Sequence, residues 1–231
     1  LTAISKELDF AINIGCDILS SKKSMILAKT YPNIYATIGC HPHDAKDFNI
    51  EFENFIKDNL DSKKVLALGE IGLDYYYDNS PRDVQKKVFK KQLELALEYK
   101  KPVVIHTREA SLDTEKILKE YPNSFGIFHS FSGSYEFAKK FLDSFYFSFS
   151  GPITFKNANK LREVVKKIPV DRILIETDSP YLTPTPFRGK RNDPRYTKYV
   201  AETIAELKGI KLDEFLEITN SNARKIFNIG G

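Results

Sequence analysis

Short apolar runs alternate with longer amphipathic segments along the whole chain. Each run has roughly four to six residues, which is typical of strands buried on both faces of a sheet. Strands are predicted at Phe10–Gly15, Ile34–Gly39, Val65–Glu70, Pro102–His106, Gly126–His129, Tyr146–Ser150 and Ile173–Asp178. Regular alternation of strands with helices predicts a parallel sheet with right-handed crossovers.

The clearest helical pattern runs from Pro81 to Tyr99, where apolar side chains recur at the spacing of one helix face. Ser80 is predicted to be its N-cap and Pro81 its first residue. Similar patterns predict helices over residues 20–30, 49–59, 111–120, 135–143, 157–167, 197–207 and 213–227.

Four of the predicted strands end in a carboxylate or an imidazole, namely Glu70, His106, His129 and Asp178. Barrel enzymes carry their chemistry at the carboxyl ends of their strands, whereas an open sheet gathers ligands at one switch point. Four separate strand ends therefore favour a ring. We predict an α/β fold, a distorted TIM-like (β/α)₈ barrel, with residues 1–231 forming a single domain.

A closed barrel of this class needs eight strands, and the pattern predicts seven. The segment Leu1–Leu8 has the character of the tail of a helix. Because a barrel without one strand would expose two sheet edges, we expect the first strand to precede Leu1.

Composition narrows the class of protein. A chain of 231 residues with 42% hydrophobic and 29% charged residues is typical of a folded globular domain. The net charge of +4 permits a phosphate-bearing partner without requiring one. Two cysteines, Cys16 and Cys40, exclude a disulfide scaffold, and no glycine-rich dinucleotide-binding turn follows a strand.

With no membrane-spanning stretch or signal peptide, we expect a cytoplasmic protein with no membrane association and no obligate protein partner.

The four strand-end residues are divalent-metal ligand types. The alternatives are a salt bridge for Glu70 and hydrogen-bonded core positions for His106 and His129. Asp178 is suited to act as a general base, since an acid on the last strand of a barrel can accept a proton from an attacking water. Two further acids have lesser predicted roles. Glu176 is expected to lie deeper than Asp178 and to hold the metal ligands in place rather than bind the metal, and Asp74 is expected to form a turn.

Two basic segments are open to more than one interpretation. Arg108 either binds a phosphate or carboxylate at the site or forms a salt bridge at a helix start. His41-Pro42-His43 has the spacing of a metal motif, but Pro42 predicts a turn. We therefore expect His41 to contact substrate and His43 to serve the turn.

Seven segments in unbroken order resemble the TatD family of metal-dependent deoxyribonucleases. They are GCHPHDA, LGEIGLDYYYD, PVVIHTREA, FHSFSGS, GPITFKNA, IETDSPYLTPTPFRGKRNDP and ITNSNARKIFNI. The resemblance as a whole spans Phe10 to the C-terminus. The resemblance implies a distorted TIM barrel with one or two divalent metals, Mg or Mn first and Zn or Fe as alternatives. It also implies hydrolysis of DNA, as single strands or at ends, by a metal-activated water.

Site roles follow from the same resemblance. Glu70 corresponds to the carboxylate that bridges two metals, His106 and His129 to ligands of one metal, and Asp178 to a ligand of the other and the base. The residues expected around the scissile phosphate are His41, Tyr75, Arg108 and Ser132. Arg188 is expected to contact a phosphate on separate grounds, because it belongs to a cluster of basic residues just after Asp178.

The sequence departs from the family pattern at one point. The family's D-x-H-x-H segment is absent, so the chain carries a complete ligand set for one metal and half a set for the other. Two alternatives to a deoxyribonuclease stay open: a metal-dependent hydrolase of small esters, amides or phosphoesters, and an inactive, truncated barrel.

Overall fold

The computed structural model describes residues 7–230, which form two compact units, residues 7–127 and 128–230. The expectation that Leu1–Leu8 ends a helix falls almost entirely outside the described residues.

The first unit is a parallel α/β arrangement, as the alternation predicts. Strands β1 to β4 pair in chain order, each parallel to the next. Its strands are β1 (Ala11–Asn13), β2 (Ile34–Ile38), β3 (Val65–Asp74), β4 (Val103–Arg108) and the start of β5 (Gly126–Phe128). Its helices are α1 (Ile18–Thr30), α2 (Ile50–Asn59), α3 (Arg82–Glu98) and α4 (Ser111–Glu120).

Side-chain caps define where the first helices begin. Asp17 accepts the Ser20 backbone N–H in a capping box at α1, and Asn49 accepts the Phe52 N–H at α2. The predicted Ser80 cap of α3 is wrong, because Pro81 holds that position. The buried Ser80 hydroxyl instead donates to the His43 carbonyl.

Strand β3 is longer than predicted and changes the position of Glu70. All ten residues of β3 are buried, and the strand continues four residues beyond Glu70 to Asp74. Glu70 therefore lies inside a strand rather than at its end. Gly72, two residues after Glu70, pairs with His106 of β4 in the sheet.

The second unit contains strands β6 and β7, which pair in parallel. Its elements are α5 (Tyr135–Ala138), β6 (Phe145–Phe149), α6 (Asn159–Lys167), β7 (Ile173–Ile175), α7 (Thr197–Lys208) and α8 (Leu212–Phe227). Strand β7 ends three residues before Asp178, so the prediction that Asp178 closes this strand is wrong. Helix α5 is also shorter than the predicted 135–143.

Among the described residues, no helix is both long and apolar enough to cross a bilayer. Cys16 and Cys40 are not joined to each other by a disulfide. Burial, followed by nearby carboxylates, raises the pKa of the Cys40 thiol, as expected for a structural cysteine.

Phenylalanine side chains pack together in the interior of the second unit, around Phe128 and strand β6. The Phe128 ring is fully buried and stacks on Phe147, with ring centroids 5.4 Å apart and planes inclined by 13°. Phe137 and Phe145 also contact Phe128, at 5.3 and 5.0 Å. This packing fixes the backbone immediately before His129.

We expect Phe128→Ala to lower the free energy of unfolding by about 3–5 kcal/mol, since it removes a large buried ring and leaves a cavity. Urea denaturation measures the change. Leu112→Ala is the matched control, because Leu112 is 85% exposed and its truncation should alter stability by no more than about 0.5 kcal/mol. Equal stabilities of the two variants would contradict the assignment of Phe128 to the core.

Candidate metal centre

Three adjacent strands of the first unit bring together an acid and two imidazoles. Nδ1 of His106 on β4 lies 2.9 Å from Oε1 of Glu70 on β3. Nε2 of His41, which follows β2, lies 3.4 Å from the same oxygen. Cys16, after β1, donates its thiol to Oε2 of Glu70 at 3.7 Å. Glu70 therefore contacts side chains from three other segments: a residue after β1, a residue after β2 and strand β4.

The register of β3 against β4 explains why His106 reaches Glu70. Gly72 pairs directly with His106, and Glu70 and Asp74 lie two residues to either side of Gly72. A Cβ on Gly72 would lie 2.0 Å from the His106 carbonyl oxygen, and its φ of +137° also favours glycine. The absence of a side chain at position 72 lets the two strands approach closely enough for this contact.

Asp74 holds the other side of the His106 ring. Its Oδ2 lies 3.0 Å from Nε2 of His106 and 3.0 Å from Nε2 of His43, and its Oδ1 accepts the N–H groups of Tyr76 and Tyr77. Burial alone raises the pKa of Asp74, but hydrogen bonds from His106, from the Tyr77 backbone and from His43 outweigh it and hold this pKa well below its usual range. The predicted turn role of Asp74 is confirmed by the two backbone bonds. Its contact with His106 was missed.

A backbone hydrogen bond fixes which ring nitrogen of neutral His41 carries the proton. Its Nδ1 accepts the His43 backbone N–H at 3.2 Å, so the proton of a neutral ring lies on Nε2, facing Glu70. Burial lowers the pKa of His41, which favours that neutral form, although its contact with Glu70 opposes the shift. His41 is thus arranged to donate a hydrogen bond to Glu70. It also caps the 3₁₀ turn Pro42–Asp47, the turn role that had been expected of His43.

The donor set of this cluster fits a divalent cation. One ligand atom from each of His41, Glu70 and His106 lies within 4.8 Å of the others. A carboxylate with imidazoles suits Mg, Mn, Zn or Fe, so the donor types do not single out one metal. A histidine ligand usually donates its second ring N–H to a carboxylate, and Asp74 supplies that partner for His106.

In the second unit, His129 has a carboxylate partner of the same kind. Its Nδ1 lies 3.1 Å from Oε1 of Glu176, which follows β7. Burial alone raises the pKa of Glu176, but the neighbouring His129 and hydrogen bonds from Ser148 and Ser130 outweigh it and lower the pKa. The contact agrees with the supporting role predicted for Glu176, and it leaves Nε2 of His129 as the ring nitrogen not facing Glu176.

Asp178 lies in a loop that a buried amide fixes. Its φ of 56° is left-handed, and its carbonyl accepts the Tyr181 N–H at 2.8 Å. Asn192 is 4% exposed and donates its side-chain amide to the carbonyls of Thr177 and Tyr181, on either side of Asp178. Sequence reasoning missed Asn192, since no local pattern marks an asparagine 14 residues away as a clamp.

The predicted substrate contacts lie in different environments. The Tyr75 hydroxyl donates a hydrogen bond to the Asp113 carboxylate at 2.7 Å rather than facing the metal cluster. Ser132 and Arg188 are exposed in the second unit, with the Arg188 guanidinium 4.3 Å from the Phe155 ring. Arg108 is exposed and covers the rings of Tyr76 and Tyr77. No described contact favours the salt bridge that was its alternative role.

We expect Glu70→Ala to weaken Mn²⁺ binding by more than about 10²-fold, since removal of a supporting partner alone typically costs 10- to 100-fold. Equilibrium dialysis followed by elemental analysis measures the bound metal. Glu51→Ala is the control, because Glu51 is an exposed acid in the first turn of α2. Wild-type affinity in Glu70→Ala would remove Glu70 from the ligand set.

Asp74 should make stability depend on pH in the acid range. Because its pKa is lower in the folded protein than the unfolded value of about 4, its contribution is present above that value and is lost as the pH falls through the folded-state pKa. We expect the free energy of unfolding of the metal-free protein to fall below pH ~4, with a smaller slope in Asp74→Asn. Urea denaturation across this range checks it. Asp58→Asn, at an exposed carboxylate of α2, should keep the wild-type slope.

Comparison with known proteins agrees with this chemistry. A family model described as "TatD related DNase" matches residues 2–228. The "uncharacterized metal-dependent hydrolase YabD" of Bacillus subtilis is 49% identical over 230 residues, covering 98% of this chain and 90% of that protein. YcfH of Escherichia coli K12, also named an uncharacterized metal-dependent hydrolase, is 37% identical over 231 residues. The match covers 98% of this chain and 86% of YcfH.

A solved structure extends the likeness to the fold. The crystal structure of YJJV, a TatD homologue from Escherichia coli K12, matches with a TM-score of 0.88 at 29% identity, over 96% of this chain and 87% of that one. The predicted distorted TIM-like α/β fold class is confirmed by this match. Together, the family model and the relatives show that this chain belongs to the TatD-related DNase family.

Proposed function

We propose that this chain is a metal-dependent hydrolase that cleaves phosphodiester bonds of DNA, acting on single strands or ends. The observation that carries the proposal is the His106 ring held between Glu70 and Asp74, at 2.9 and 3.0 Å. A carboxylate-oriented imidazole beside a second carboxylate is the arrangement expected of a hydrolytic metal site. The family model, described as a DNase, supports the choice of substrate.

Glu70 and His106 would hold a divalent cation, and we assign ligand roles to His129 and Asp178 as well. When bound, the cation supplies Lewis-acid polarisation of the phosphate and favours ionisation of water. Asp74 and Glu176 keep the two imidazoles in place and fix which nitrogen carries the proton.

The remaining residues bind the substrate and move protons. Asp178 takes the proton from the attacking water as the general base, in a loop that Asn192 holds rigid. His41 donates to Glu70 and thereby orients that carboxylate. Arg108 contacts a phosphate through a guanidinium that stays exposed. In the second unit, Arg188 is an exposed cation suited to the same purpose.

We expect purified protein with Mg²⁺ or Mn²⁺ to shorten 3′-labelled single-stranded DNA, and a chelator to abolish the reaction. Asp178→Asn should lower kcat by about 10²-fold or more while it keeps most of the metal, because it removes a positioned base. Asp171→Asn, at an exposed acid of the second unit, is the matched control. Gel electrophoresis of the products measures the rate.

Two outcomes would contradict parts of this proposal. Intact DNA together with turnover of a small chromogenic ester would make the chain a small-molecule hydrolase. Wild-type kcat in Asp178→Asn would remove Asp178 from the mechanism.

A further inference from the structure

Three consecutive tyrosines follow β3, and they are not equivalent. The Tyr75 hydroxyl donates to Asp113, and the Arg82 guanidinium lies 4.2 Å from its ring centroid. Tyr76 and Tyr77, by contrast, are 54% and 55% exposed. One tyrosine therefore anchors the segment while the next two present their rings to solvent.

Tyr76 and Tyr77 form a shaped surface together with Arg108. Their ring centroids lie 4.8 Å apart with planes at 89°, and the Arg108 guanidinium lies 3.9 Å from the first centroid and 4.9 Å from the second. We call these three residues the Tyr-Tyr-Arg surface. A cation over two aromatic faces stays ordered without losing its charge.

This surface is tied to the candidate metal centre by one side chain. Oδ1 of Asp74 accepts the N–H groups of Tyr76 and Tyr77, while its Oδ2 contacts His106 and His43. The Tyr77 ring also packs edge-on against His43, with centroids 5.4 Å apart. Asp74 thus fixes the backbone of both tyrosines, and the Tyr77 ring lies against His43.

We infer that the Tyr-Tyr-Arg surface binds an unpaired nucleobase of the substrate by stacking, while Arg108 contacts an adjoining phosphate. The inference rests on the proposed function and names the base as a recognised part of the substrate. Every base offers an aromatic face, so this contact accepts any sequence and requires only that the base be unpaired. An arginine beside the rings supplies the charge complementarity that a bare apolar patch would lack.

Steady-state kinetics on two matched single-stranded substrates tests the inference. The first substrate is a 3′-labelled single strand of normal nucleotides, and the second carries abasic sites in place of the terminal nucleotides. On the first, Tyr76→Ala/Tyr77→Ala should raise KM by about tenfold or more, the loss typical of removing a base stack. On the abasic strand the same variant should match the wild type. Tyr76→Phe/Tyr77→Phe keeps both rings and should behave as the wild type on both strands.

A spectroscopic readout follows binding without turnover. The chain has no tryptophan, so Tyr77→Trp introduces a single indole reporter. Its fluorescence should be quenched by the normal strand and not by the abasic one. Tyr121→Trp, at the end of α4, is the control and should show no base-dependent quenching.

The outcomes separate this inference from the proposed function. Equal KM values for wild type and the alanine variant on normal DNA, with no quenching, would overturn the base-binding surface and leave the nuclease intact. Base-dependent quenching by a protein that cleaves neither strand would support the surface and overturn the nuclease. Equal losses on the normal and abasic strands would also overturn base stacking, because the rings would then act on something other than the base.

Discussion

The imidazole of His106 lies between two carboxylates, with Glu70 facing one ring nitrogen and Asp74 facing the other. Withdrawing carboxylates from water costs several kcal/mol each unless hydrogen bonds compensate. Asp74 meets that requirement with four donors, two of them backbone N–H groups and two of them imidazoles. The rest of the candidate site depends on this arrangement, because it fixes both the ring of His106 and the direction of Glu70.

The sheet makes the arrangement possible through a glycine. With Gly72 opposite His106, the two flanking acids of β3 reach the two sides of one ring on β4. A Cβ at position 72 would collide with the His106 carbonyl oxygen, so a larger residue there would push the strands apart. The backbone and the site are thus coupled at a single position. The spacing of Glu70, Gly72 and Asp74 is best understood as one structural unit.

Shared use of Asp74 links the candidate metal centre to the turn that carries Tyr76 and Tyr77. One carboxylate oxygen orients His106, and the other fixes the turn that carries Tyr76 and Tyr77. In the second unit Glu176 repeats the first of these roles for His129, and Asn192 fixes the loop of Asp178 with amide hydrogen bonds. Polar side chains fixed by buried partners are expected where geometry must be preserved during catalysis.

The sequence by itself determined the fold class, the approximate strands and the residue types of the site, because buried strands and amphipathic helices leave periodic local signals. Helix α4 has the predicted bounds, and Glu70 and His106 meet as strand neighbours should. Only the tertiary structure decided what those side chains contact. The extension of β3 to Asp74, the contact of His41 with Glu70 and the clamp by Asn192 all depend on partners distant in the chain, and such partners leave no trace in local periodicity.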